Sequence, residues 1–314
     1  MTDSFFSNWF RSKKEVPPPA AIDLQSVTEL QRNVRLLEIS SRKLTNHLFA
    51  GEYQAAFRGR GMRFREVREY QPGDDIRFID WNVSARFNHP FSKLFEEERE
   101  LVIYLLIDIS ASNYFGAISS KRKLIQEIAT VLSFSAVSNQ DKVGAIFFGN
   151  QVERFVPPKK GRQHALHIVR EMVGMNRSGQ GSGNTRMEMA IRHFNQVSKQ
   201  RSIAFILSDF SDVEFQHDLK QIAGKHDVIG VHIFDPLDEE LPRMGLMPVQ
   251  DLESGEQLVI DTENELVRYQ YQEHFKKHTQ SIQQYFRKAG ADLLQLRTDQ
   301  DYVAKLQQFF LKRC

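Results

Sequence analysis

Residues 101–112 read LVIYLLIDISAS, and this stretch decides the fold. The unbroken apolar run over 101–107 is typical of a strand that is buried on both faces of a parallel sheet. The run ends at Asp108, and two serines follow at alternate positions, Ser110 and Ser112. Open parallel sheets bind their ligands beyond the carboxyl ends of their strands, so these polar residues are the first candidates for a functional site.

Apolar strands and amphipathic helices alternate from this strand onward. Strands are predicted over residues 143–148, 203–207, 228–234 and 291–296. Helices are predicted over 121–137, 163–173, 185–197, 214–223 and 269–288, with a last helix through 311. Strands that alternate with helices indicate right-handed crossovers, so the predicted fold class is α/β with a doubly wound, mostly parallel sheet.

The chain before residue 100 has a different texture, with helical spacing over 24–49 and then turn signals such as Pro72-Gly73. It predicts a smaller block of one helix and short paired strands. We therefore expect three parts: an N-terminal tail with a Pro-rich linker at 1–22, the helix-plus-strand block at 23–99, and the α/β domain at 100–314 with a hairpin insertion near 246–261.

Composition narrows the classes of function. The 314 residues are 41% hydrophobic and carry a net charge of only +2, which is ordinary for a globular protein and gives no global reason to expect nucleic-acid binding. The single cysteine, Cys314, excludes a disulfide framework within the chain and a cysteine-based zinc site. No apolar run is long enough for a membrane helix and no secretory signal is present, so the expected compartment is the cytoplasm.

Two N-terminal features leave alternatives open. An aromatic segment (Phe5, Phe6, Trp9 and Phe10), followed by basic residues, fits a peripheral contact with the inner face of the membrane, but it also fits a frayed terminus or docking on its own domain. Arginines between 58 and 77 alternate with acidic residues, which favours intramolecular ion pairs or a protein partner over nucleic acid. The pair Asp80-Trp81 predicts a buried tryptophan beside a turn.

Polar residues from three segments are predicted to converge at one edge of the sheet. Asp108, Ser110 and Ser112 follow the first strand, Thr185 follows a glycine-rich loop at a helix start, and Asp209 follows the strand at 203–207. Ser and Asp also cap helices and occupy turns, so one such segment is a weak signal, whereas three in order are not. All five offer oxygen, which suits a hard divalent cation: Mg²⁺ is the first choice, with Mn²⁺ and Ca²⁺ as alternatives.

This arrangement resembles the metal-ion-dependent adhesion site of von Willebrand factor A domains. The resemblance implies that Ser110, Ser112 and Thr185 ligate the cation directly, while Asp108 and Asp209 act mainly through water. It also implies that an acidic side chain of a protein partner completes the coordination.

The region before the site is similar to the bacterial family catalogued as domain of unknown function 58, which joins such a block to a von Willebrand factor A-like domain. The motifs are FRGRG at 57–61, REYQPGDD at 68–75, IDWN at 79–82, SAR at 84–86 and FEEERE at 95–100. The resemblance implies a MoxR-type AAA+ ATPase as partner, in a chaperone-like system that matures or activates an acidic client protein. Many relatives carry two N-terminal membrane helices, which this chain lacks.

The sequence motifs favour a binding protein over an enzyme. The chain has neither a G-x-x-x-x-G-K-[ST] phosphate loop nor a G-x-S-x-G nucleophile motif. A metal-dependent phosphohydrolase with Asp108 as nucleophile is the alternative, but that chemistry usually has a second acid two residues on, where Ser110 stands.

Overall fold

The computed structural model describes residues 63–87, 89–96, 101–110, 120–175, 186–212, 214–250 and 257–313. The strands are β1 Arg63–Glu69, β2 Phe91–Glu96, β3 Val102–Asp108, β4 Lys142–Phe148, β5 Val152–Lys159, β6 Ile203–Ser208, β7 Asp227–Phe234, β8 Leu246–Gln250, β9 Gln257–Asp261 and β10 Asp292–Arg297. The helices are α1 Trp81–Phe87, α2 Lys121–Ser138, α3 Arg162–Gly174, α4 Met187–Val197, α5 Gln216–Ala223, α6 Pro236–Glu239, α7 Glu265–Ala289 and α8 Tyr302–Arg313, with a 3₁₀ turn at Ile76–Phe78.

Six strands form the main sheet in the order β10-β7-β6-β3-β4-β5. All neighbouring pairs are parallel except β4 and β5. The chain leaves β3 toward β4 on one side and later returns to β6 on the other side. The strand order therefore reverses between β3 and β6, which is the switch point where ligands bind in this class of sheet. The predicted fold class is confirmed.

Alternate residues of β3 enter two separate cores, because successive side chains of a strand point to opposite faces. Ile103 and Leu105 pack with residues of α2, α3 and α8 on one face. Tyr104 and Leu106 pack with residues of α4, α5 and α7 on the other face. Helices thus cover both faces of the sheet, which explains why every residue of β3 is buried.

Strand β5 is an element that the sequence analysis did not predict. It contains Pro157 and Pro158. Because proline cannot donate a backbone hydrogen bond, two prolines in a row argue against a strand when only the sequence is considered. The strand lies at the edge of the sheet, where prolines are tolerated. Its partner β4 approaches closely at Gly144, because a Cβ there would lie 2.9 Å from the Pro158 nitrogen.

Strands β1 and β2 pair antiparallel in the N-terminal block. The prediction of a buried Trp81 is wrong. Trp81 is the first residue of α1, and it is 69% exposed. Asp80 instead caps that helix, accepting hydrogen bonds from the backbone N–H groups of Asn82 and Val83. The aromatic segment and the predicted domain boundaries at 22 and 99 lie outside the described residues.

Two arginines of the basic cluster form ion pairs within the block. Arg68 lies 2.7 Å from Asp74, and Arg77 lies 2.6 Å from Asp75.

Strands β8 and β9 form a separate antiparallel pair before α7. None of the helices in the described ranges has the length and apolar character needed to cross a membrane.

Candidate metal centre

The carboxyl ends of β3 and β6 lie side by side at the switch point and carry the first two acidic candidates. Asp108 is the last residue of β3, and Asp209 follows β6 directly. The hydroxyl of Ser208 donates a 2.6 Å hydrogen bond across the strands to Asp108 Oδ2. The backbone N–H of Ser110 donates to Asp108 Oδ1 at 2.8 Å. Asp108 is therefore held rigidly, and it is only 1% exposed.

The two carboxylates influence each other electrostatically. Burial and, to a smaller extent, the negative charge of Asp209 together raise the pKa of Asp108 to about 6. The hydrogen bonds from Ser208 and Ser110 oppose this rise but do not cancel it. A buried carboxylate beside a second one is an arrangement that a bound cation would relieve.

Asp209 is also fixed at both oxygens. Its Oδ1 accepts hydrogen bonds from the backbone N–H of Ser211 at 3.2 Å and from the Ser211 hydroxyl at 2.7 Å. Its Oδ2 lies 3.0 Å from the ammonium nitrogen of Lys121, the first residue of α2. This contact links the end of β6 to the start of α2, which lies 88 residues earlier in the chain.

Lys121 bridges Asp209 to a third carboxylate. Its ammonium nitrogen lies 3.3 Å from Asp238 Oδ2 on the short helix α6 that follows β7. Burial alone would lower the pKa of Lys121, but the two carboxylates outweigh it, so the pKa is raised and the ammonium stays charged. Beside this group lies a cavity of about 270 Å³, lined also by Tyr271 and His274.

The turn that presents Asp209 is strained and tightly packed. Phe210 has a φ of 53°, which a bulky side chain rarely adopts. Its fully buried ring packs against Phe286 and His232 at 5.4 and 5.8 Å between ring centroids. This packing keeps the backbone in the left-handed region, at a cost of about 1–3 kcal/mol. Strain of this kind is concentrated at functional sites.

Two imidazoles contact the same turn, the buried His232 from β7 and the half-buried His278 from α7. Burial lowers the pKa of His232 to about 4, and burial also lowers the pKa of His278. Both rings are therefore neutral at physiological pH. Each one forms a hydrogen bond with the backbone of the turn, His232 with Asp209 and His278 with Phe210.

The start of α4 is tied to the same edge of the sheet. The backbone N–H of Arg186 donates to the carbonyl of Gly149, just beyond β4, at 2.8 Å. The N–H of Met187 donates at 3.1 Å to the carboxylate of Asp212, which lies in the loop after β6. Thr185 precedes Arg186 in the chain. Thr185 itself lies outside the described residues, as does Ser112.

The structure therefore brings together three of the five predicted ligands: Asp108, Ser110 and Asp209. In the described ranges, no group of three or more His, Cys, Asp or Glu side chains is arranged to hold a metal. A cation at this edge would depend on hydroxyl oxygens in addition to the two carboxylates. The oxygen-only donors fit Mg²⁺, Mn²⁺ or Ca²⁺ better than a metal that prefers nitrogen or sulfur.

Sequence reasoning missed Lys121, Ser208 and Asp238. Lys121 opens a helix, where a cation opposes the helix dipole, but Arg122 and Lys123 follow it, so this mismatch does not single out Lys121. Ser208 immediately precedes Asp209 and was visible as a second polar group at a strand end. Nothing in the sequence marks Asp238 as part of the site, because an acidic residue at this position is already explained by the capping box of α6.

Comparisons with known proteins identify relatives over most of the chain. The model of the family described as "Protein of unknown function DUF58" matches residues 66–281, more than half of the chain. An uncharacterized protein of Mycobacterium bovis is 32% identical over 289 residues, which cover 91% of this chain and 90% of that protein. The uncharacterized protein YeaD of Bacillus subtilis is 32% identical over 107 residues, or 34% of this chain and 25% of YeaD.

Solved structures show weaker likeness. The hypothetical protein BatB of Bacteroides thetaiotaomicron matches with a TM-score of 0.43 at 16% identity, over 68% of this chain and 98% of that one. The VWA domain of SpRpn10 matches with a TM-score of 0.35 at 14% identity, over 66% of this chain and 94% of that one.

Proposed function

This chain belongs to the DUF58 family, and on that premise we propose that it is a protein-binding adaptor whose contact with its partner runs through a divalent cation. The proposed partner is a MoxR-type AAA+ ATPase, and the pair is proposed to mature or activate an acidic client protein. The family resemblance supports this partner. Mg²⁺ is the proposed cation, with Mn²⁺ and Ca²⁺ as alternatives.

One observation carries the proposal: Asp108 and Asp209 meet at the switch point of the sheet in a turn held from several sides. Both carboxylates are buried, and each one accepts fixed hydrogen bonds. The carboxylates would balance the charge of a divalent cation, and hydroxyl oxygens would contact it directly. When bound, the cation supplies a coordination position that a carboxylate of the partner completes.

Each residue then has a distinct proposed role. Ser110, Ser112 and Thr185 hold the cation through their hydroxyls, while Asp108 and Asp209 orient its water ligands. Arg186 supports the role of Thr185, because it directly follows Thr185 in the chain and donates its own backbone N–H to the carbonyl of Gly149, just beyond β4.

The burial of Asp108 supports a binding protein over a phosphohydrolase. A nucleophilic aspartate must present an oxygen to a phosphorus atom at about 3 Å. Asp108 is instead 1% exposed, and both of its oxygens already accept hydrogen bonds. That geometry suits a group that acts behind hydroxyl ligands. Phosphatase turnover that is lost in the Asp108→Asn protein would restore the enzymatic alternative.

The test is a pull-down of the purified cognate MoxR-type ATPase with the full chain, once in Mg²⁺ and once in EDTA. We expect retention in Mg²⁺ and loss in EDTA. The Asp108→Asn protein, and the double variant Ser110→Ala with Ser112→Ala, should lose retention in both buffers because the cation is no longer held.

A matched control is Glu239→Gln, which removes one negative charge from the exposed surface of α6 near the same edge. This variant should bind like the wild type. Retention of the ATPase by folded Asp108→Asn protein in EDTA would contradict the metal-bridged contact and place the partner surface elsewhere, with the arginine-rich N-terminal block as the next candidate.

A further inference from the structure

We propose that Lys121 is a built-in cation that competes with the divalent metal for Asp209, and that Asp238 sets the strength of this competition. The inference rests on the proposed metal site and concerns how tightly that site holds its metal. It assigns a regulatory role to two residues that the adhesion-site motif does not include.

The geometry places the ammonium group of Lys121 where it shares a carboxylate with the metal. It lies 3.0 Å from Asp209 Oδ2, and the side chains of Lys121 and Asp209 are each only 6% exposed. Water and salt screen buried charges poorly, so the ammonium acts on this carboxylate at nearly full strength. Any cation that draws on the negative charge of Asp209 must share it with Lys121.

Stability alone does not account for this lysine. A buried ion pair contributes little to stability relative to a well-packed apolar pair, because both charges lose their hydration. A cation in the first turn of a helix also opposes the helix dipole, and Lys121 opens α2. A buried ammonium held between a candidate metal ligand and a second carboxylate points to a function in that site.

Asp238 is the second carboxylate that contacts the ammonium group of Lys121. Its Oδ2 lies 3.3 Å from Lys121 and also accepts a 2.8 Å hydrogen bond from the backbone N–H of Asp235. Because this capping bond fixes Asp238, the carboxylate cannot follow the lysine toward Asp209. Asp238 therefore offsets the charge of Lys121, and its removal would leave the whole ammonium charge to Asp209.

These relations predict opposite effects on metal affinity. The measurement is a titration of the full chain with Mn²⁺, in which electron paramagnetic resonance counts the free ion. Lys121→Met, which keeps the length of the apolar stem, should tighten the Mn²⁺ dissociation constant by about tenfold or more. Asp238→Asn should weaken it by about as much.

Two control variants carry the same charge changes outside the contact. Lys123→Met removes a positive charge from the same helix, at an exposed position. Glu239→Gln removes a negative charge from α6, where Glu239 faces Arg297 on the surface. Because solvent screens exposed charges, both should stay within about twofold of the wild type.

The outcomes separate the two proposals. Wild-type protein that binds no Mn²⁺ would overturn both the metal site and this inference. Wild-type binding that Lys121→Met does not tighten beyond Lys123→Met would overturn the inference alone. If Lys121→Met does not fold, Asp238→Asn decides, since affinity equal to that of Glu239→Gln rules out the competition.

Discussion

Asp108 and Asp235 lie at the carboxyl ends of two parallel strands of the same sheet, and their hydrogen bonds are nearly the same. Each accepts a bond at Oδ1 from the backbone N–H two residues on, at 2.8 Å and 3.0 Å. Each accepts a 2.6 Å bond at Oδ2 from a hydroxyl near a neighbouring strand, Ser208 in one case and Thr298 in the other. Both aspartates are buried.

The charges around the two aspartates differ. Asp235 is the N-cap of α6 and shares a capping box with Asp238, so its bonds satisfy the start of a helix. Asp108 faces the carboxylate of Asp209, which adds to the effect of burial in raising its pKa. Hydrogen bonding at a strand end therefore does not distinguish a cap from a candidate ligand. The neighbouring carboxylate differs in its role: Asp238 belongs to the same helix cap as Asp235, whereas Asp209 comes from another strand end and raises the pKa of Asp108.

The largest expected effect is a gain of stability in the metal-free Asp108→Asn protein at neutral pH. The rise of the Asp108 pKa from 3.8 to about 6 means that the folded protein loses up to about 3 kcal/mol by ionising this group. The amide removes that charge but weakens the bond from Ser208 by about 1 kcal/mol, so the net change is still a gain. Urea unfolding in EDTA measures the difference in the free energy of unfolding.

The sign of this difference depends on pH. The folded pKa is above the unfolded one, so the cost of ionisation is absent below about pH 4 and complete above about pH 6. The gain from Asp108→Asn should therefore grow as pH rises through that window. If the Asp108→Asn protein is less stable than the wild type at pH 7 in EDTA, the proposed electrostatic difference between Asp108 and Asp235 is wrong.

A smaller and opposite effect is expected for Asp235→Asn. This change replaces a charged acceptor with an amide at the bond from Thr298 and weakens the cap of α6. We expect a loss of about 1–2 kcal/mol in the free energy of unfolding, in EDTA and in Mn²⁺ alike. Thermal and urea unfolding at pH 7 check it, and a metal-dependent loss would show that Asp235 also takes part in the metal site.

The smallest expected effects come from removing the hydroxyl groups of Ser208 and Thr298, which donate to Asp108 and Asp235. Ser208→Ala and Thr298→Val each remove one hydrogen bond to a buried carboxylate, at about 1 kcal/mol or somewhat more. Ser208→Ala also removes the acceptor of the Phe210 backbone N–H, a loss that does not depend on the charge of Asp108. The loss from Ser208→Ala should be larger at pH 8 than at pH 5, because Asp108 is charged only at the higher pH. Equal pH profiles for the two variants would contradict this difference.

The main sheet was predictable from the sequence because its signals are local. The apolar run at 101–107 and the helical spacing that follows it each depend on neighbouring residues alone. The position of Asp108 and Asp209 at one edge also follows, since parallel strands end on the same side. Strand β5 escaped prediction because its two prolines disguise an edge strand.

The charged surroundings of the site were not predictable in the same way. Lys121 and Asp209 are 88 residues apart in the chain, and their contact depends on the crossover that places α2 beside β6. Trp81 was expected in a core on the basis of its side chain, yet Asp80 caps the helix that Trp81 begins, and the ring faces solvent. Contacts of this kind depend on tertiary packing, which sequence spacing does not report.

The most direct test of the metal centre is anomalous scattering from crystals of the full chain grown in Mn²⁺. We expect a manganese peak at the carboxyl ends of β3 and β6, beside Ser110 and the water ligands of Asp108 and Asp209, and none at Asp235. Crystals that contain ordered protein and no peak at that edge, or a peak at Asp235 instead, would contradict this expectation.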